Sequence, residues 1–134
     1  MMNDIISNKI SVIERCLVRI NVVYDNNRDN LTDYTKQDSI VLNIQRACQA
    51  CIDLAMHVSA LHQFGLPHLS KEAFDFLHEH QIITAETVSN MKAMIDFRDN
   101  AIPDAQTINT NILNEIIKNH LGDFTFFTKQ ILAY

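Results

Sequence analysis

The chain has 134 residues, a length that predicts one domain, 1–134, with enough interior for a real core. Its net charge of −5 excludes a generic polyanion binder, so any RNA contact must come from a few placed Arg and Lys side chains. No run approaches the roughly 18 apolar residues of a membrane span. The N-terminal "MMNDIISNKI" has an early acidic residue and no unbroken apolar run, unlike a signal peptide, so a cytoplasmic protein without membrane contact is expected.

Only 2 Gly and 2 Pro occur and no strand-like alternation persists, so the chain reads as all-α. Ile6, Ile10, Ile13, Leu17, Ile20 and Tyr24 recur at 4-3 spacing and predict a first helix over about 3–29. The polar "NNRDNLTDYTKQD" is turn-like. Ile40, Ile44, Ala47, Cys51, Leu54, Val58 and Leu61 repeat the seam in a second helix over about 37–64. Gly65 and Pro67 are stop signals, and Ser70 is placed to cap a third helix reaching about His80. Thr84 caps a fourth that runs to about Asp99. A fifth starts near Thr107 and carries Leu113, Ile117, His120, Phe124, Phe127 and Ile131. Such seams suit an antiparallel up-and-down bundle of about five helices.

Cysteines number three, Cys16, Cys48 and Cys51, which argues against a disulfide framework. Cys48 and Cys51 form a C-x-x-C, but it lies mid-helix with no second pair, and both read as small core residues. His57, His62, His68, His78 and His80 show no metal-ligand spacing, so no metal is expected. On the second helix Asn43, Arg46, Asp53 and His57 form a polar stripe beside the apolar seam. A solvated face with an Asp53–His57 i,i+4 pair accounts for it; a cleft lining is the alternative.

Arg98 is the anomaly. Val88, Met91, Ile95, Arg98 and Ile102 follow steps of 3, 4, 3 and 4, so a charge occupies a seam position. Burying an unpaired guanidinium is expensive. Three arrangements answer that cost: snorkelling at the helix end, pairing with a carboxylate such as Asp53, or lining a cleft made with a partner. Pro103 restricts Ile102, so the fourth helix should end at or before Ile102. That helix also presents Met91, Met94, Ile95 and Phe97 over a short span, more apolar surface than a thin helix covers alone, which favours a dimer.

"NIQRACQACIDLAMHV", "EAFDFLHEHQIIT" and "MKAMIDFRDNAIPDAQTINTNIL" together resemble the HepT-like toxins of the HEPN superfamily over nearly the whole chain. The resemblance implies a homodimeric, metal-independent endoribonuclease with no cofactor, the toxin of a toxin–antitoxin module. In it the RNA 2′-hydroxyl attacks the adjacent phosphate, assisted by an Arg-x4-His-x-Tyr motif. It also implies an MntA-like minimal nucleotidyltransferase antitoxin that adds AMP to the motif tyrosine. Carried over by position, Arg98 is the motif arginine, and Asp99 stands where asparagine is usual. Pro103 stands at the histidine and Ala105 at the tyrosine. The expected RNA-contacting set is Arg98, Asp99, Arg46, Asp53 and His57. Proline supplies no titratable group, and a general acid/base contributes about 10²–10⁴-fold. The expectation is a weak or inactive ribonuclease; the alternative is a non-enzymatic module that dimerises and binds RNA or the antitoxin.

Overall fold

The computed structural model describes residues 4–65, 69–101 and 109–134, and within them every regular element is helical. Helix α1 spans Asp4–Tyr24 and buries Ile10, Ile13, Cys16, Ile20 and Tyr24. It stops five residues short of the predicted end, because Asp25 and Asn26 both take φ of 50°. Those left-handed values are ones Asp and Asn tolerate better than most residues. A 3-10 turn, Arg28–Thr32, follows; Asn27 caps it and Leu31 is buried beneath it. Gln37 is itself buried and donates from Nε2 to the Leu31 carbonyl at 2.9 Å, fastening the turn to the next helix.

Helix α2, Tyr34–Leu61, begins earlier than the seam predicts because Asp33 caps it, its carboxylate accepting from the Lys36 amide at 3.1 Å. It lies against α1 along most of its length and is the central element of the fold. Helix α3 is Glu72–Glu79. The predicted Ser70 cap is not used: Lys71 occupies the cap position without a side-chain bond, and backbone bonds from Glu72 to Leu69 and from Ala73 to Ser70 close the first turn instead. Helix α4, Ala85–Ala101, starts as expected at Thr84, whose Oγ1 accepts from the Thr87 amide at 3.2 Å.

The expected fifth helix is two helices, α5 (Thr110–Asn119) and α6 (Leu121–Ala133), broken at His120. The seam is continuous in sequence, but its halves serve different neighbours. Helix α5 packs on the 3-10 turn, whereas α6 packs on α4, α1 and α2. The φ of −123° at His120 turns the chain between them, and Gly122, a poor helix former, stands two residues on.

The helices enclose one apolar cluster in which Phe74, Phe124, Phe127, Ile13, Ile20, Leu54 and Leu113 are completely buried. Phe74 and Phe127 meet edge to face with ring centroids 5.4 Å apart, joining α3 to α6. Met91, Met94 and Ile95 are buried in this same core, and Phe97 packs against it. The apolar surplus expected on α4 is therefore covered by the chain itself, and these residues do not argue for a dimer. No helix among the described residues is long and apolar enough to cross a membrane.

Candidate functional site

Arg98 stands in the last turn of α4, where a cation gains from the helix dipole. Its side chain is only 21% exposed. Nε donates to Asp99 Oδ1 at 3.1 Å, and Nη1 donates to Gln49 Oε1 on α2 at 3.1 Å. Gln49 passes the contact on: its Nε2 donates to Asp53 Oδ1 at 2.9 Å. Lys9 on α1 completes the row, its ammonium 3.2 Å from Asp53 Oδ2. A continuous polar chain thus runs from α4 across α2 to α1.

Of the three arrangements open to Arg98, direct pairing with Asp53 is not the one adopted. The guanidinium reaches that carboxylate through Gln49, and Asp53 is partly exposed rather than buried. Gln49 and Lys9 were missed in the sequence. A signal for Gln49 was present: it lies three residues after Arg46 and four before Asp53, on the same helix face.

The Asp53–His57 pair does not form. Both Asp53 oxygens are engaged by Gln49 and Lys9, while His57 Nε2 is buried with no hydrogen-bond partner among the described residues. Arg46 is exposed and is not bonded into the Arg98 chain; it lines a cavity with Arg15, Arg19 and Asn43. Pro103 and Ala105 lie outside the described residues.

The cysteines are buried, free thiols, as core residues should be. Burial pushes Cys48 up to about 12, with the Arg98 guanidinium pulling weakly the other way, and its Sγ points at the Met94 carbonyl at 3.9 Å. Burial, reinforced by its neighbour Cys48, raises Cys51 well above the ordinary thiol value. Neither thiol is a nucleophile at neutral pH.

Beside Phe97, an open cavity of about 360 Å³ separates α4 from α5 and α6, lined by Asn90, Met94, Phe97, Ile112, Ile116 and His120 among others. His120 is held there by Asp123, with Nδ1 3.1 Å from Oδ2. It belongs to this second face and makes no contact with the Arg98 chain.

Chemically, Arg98 offers a planar guanidinium braced on two sides, which suits recognition of a phosphate. The groups that brace it among the described residues are carboxylates, an amide and a lysine. The braced arginine can therefore stabilise negative charge.

The family model for ribonuclease HepT-like proteins matches residues 13–131. The mRNA nuclease HepT of Shewanella oneidensis is 42% identical over 132 residues, covering 98% of this chain and 99% of that protein. Among solved structures, a tri-AMPylated Shewanella oneidensis HEPN toxin in complex with its MNT antitoxin superposes with a TM-score of 0.92 at 41% identity, over 99% of this chain and 100% of that one. A toxin–antitoxin complex with AMP-PNP gives a TM-score of 0.91 at 41% identity, with 99% and 100% coverage.

Proposed function

This chain belongs to the ribonuclease HepT-like family, and from that premise we propose that it is the toxin component of a toxin–antitoxin module whose own active site binds RNA with little or no cleavage. The observation that carries the reading is the setting of Arg98. It is braced by Gln49 and Asp99 in the motif-arginine position, while the motif-histidine position holds Pro103. An arginine so placed stabilises charge on a phosphate, but transfer of the 2′-hydroxyl proton needs a titratable partner. Removing that partner sacrifices about 10²–10⁴-fold in rate.

The rest follows the same premise. The single domain, 1–134, acts in the cytoplasm as a homodimer that sets two copies of Arg98 across a cleft. Asp99, Arg46, Asp53 and His57 are its further RNA-facing residues, and cleavage by the 2′-hydroxyl calls for neither metal nor cofactor. The partner is an MntA-like nucleotidyltransferase antitoxin, the kind of protein with which the related HEPN toxin was solved. Because Ala105 stands where the family carries tyrosine, this copy has no hydroxyl there to accept AMP. The antitoxin would restrain it by binding alone.

The test is restoration. Pro103→His with Ala105→Tyr should raise cleavage of a single-stranded RNA by about 10²-fold or more, and should make the chain a substrate for AMP transfer by its nucleotidyltransferase. Adding Arg98→Ala to that background should abolish the gain. A restored double variant that neither cleaves RNA nor accepts AMP would overturn the reading.

A further inference from the structure

Beyond the Arg98 chain lies a second positively charged feature, in the groove between α1 and α2. An open cavity of about 270 Å³ is lined by Val12, Arg15, Cys16, Arg19, Asn43 and Arg46. Arg15 and Arg19 stand on successive turns of α1, and Arg46 faces them from α2. All three are exposed, above buried Cys16 and Asn43. None forms an ion pair with a carboxylate among the described residues, although the chain carries more acidic than basic side chains. Like charges one turn apart repel, so the fold bears a cost here that an anion would relieve.

We infer that this groove is a phosphate-binding site for the backbone of single-stranded RNA, adjoining the Arg98 site. The inference rests on the RNA-directed reading above and extends it. The three guanidinium groups act on a common point: each pulls the Cys16 thiol downward, although burial still leaves it raised. Arg46 lies three residues, about 4.5 Å of rise, before Gln49 on α2, and Gln49 holds Arg98. Of the carboxylates beside that path, Asp53 is engaged by Lys9 and Gln49, and Asp99 by Arg98 itself. A strand entering at Arg98 therefore meets cations as it continues along α2. Guanidinium forks suit phosphate oxygens, and a concave groove admits a sugar–phosphate chain.

The test uses the full chain and a labelled single-stranded oligoribonucleotide, titrated over a range of salt. The variants are the triple Arg15→Gln/Arg19→Gln/Arg46→Gln, the matching triple of Arg→Lys, and a control, Lys118→Gln/Lys129→Gln. All the altered side chains are exposed, so each variant should keep its helical circular dichroism. The glutamine triple should bind at least about tenfold more weakly, and its log K against log salt slope should shrink by about 2, for three lost phosphate contacts on a single strand. The lysine triple should keep most of the slope, and the control should match wild type.

Wild type that binds, with a glutamine triple equal to it in affinity and slope, would overturn this inference and leave the proposed function standing. Wild type that binds no RNA would overturn both. A glutamine triple that keeps RNA binding but loses the nucleotidyltransferase partner would make the groove a protein interface, and the RNA assignment would fall.

Discussion

Arg98 Nη1 donates to Gln49 Oε1 at 3.1 Å, and this contact ties the end of α4 to the middle of α2. It sets the direction of the guanidinium, because the other tether, Asp99, is the next residue on the same helix. Gln49→Ala should therefore cost little stability, about 0.5–1 kcal/mol for a partly exposed hydrogen bond to a charged group. It should nevertheless weaken RNA binding severalfold by freeing Arg98 to rotate. Urea melts alongside RNA titrations separate the two effects. RNA affinity unchanged beside a normal melt would show that Gln49 does not position Arg98.

How much of this site was legible in the sequence depends on the kind of signal each residue gives. Arg98 announced itself because a charge interrupts an apolar period, and periodicity is a local property. The Cys48 and Cys51 assignment survived for the same reason, since both sit on or beside the α2 seam. Lys9 gave no such signal: it is an ordinary surface lysine until the antiparallel register of α1 and α2 brings it to Asp53, 44 residues away. The Arg15, Arg19 and Arg46 cluster was hidden likewise, since net charge averages over the whole surface. The break at His120 escaped because a 4-3 seam reports which residues are buried, not whether one straight helix buries them.

Asp33 offers a test of the boundary that the seam misplaced. Its carboxylate accepts the Lys36 amide at 3.1 Å and starts α2 at Tyr34, before the first residue of the apolar seam. Asp33→Ala should cost about 1 kcal/mol, and Asp33→Asn should retain most of that. Equal denaturant midpoints for wild type and Asp33→Ala would mean that packing, and not the cap, fixes the helix start.

The edge-to-face pair of Phe74 and Phe127 links α3 to α6, both rings being completely buried. Either ring replaced by alanine should destabilise the fold by about 3–5 kcal/mol, through lost transfer energy and the cavity left behind. A double-mutant cycle with Phe74→Leu and Phe127→Leu should return a coupling of about 0.5–1.5 kcal/mol, the part specific to ring geometry. A coupling of zero would reduce the pair to plain apolar filling.

The buried thiols fix the sign of one pH dependence. In the unfolded chain Cys48 ionises near its ordinary 9.0, whereas in the fold burial holds it up at about 12. Below pH 9 both states keep the proton, and this group's contribution to stability is complete. As pH rises from 9 toward 12 the unfolded state loses its proton first, so unfolding becomes progressively easier. Cys51, also raised by burial, acts in the same direction. Urea midpoints should therefore fall across that alkaline window, and Cys48→Ala should fall less steeply than wild type. Both thiols should also resist a disulfide reagent at pH 8 in the native protein and react at once in denaturant. Rapid native-state labelling at Cys48 would contradict its burial between α2 and α4.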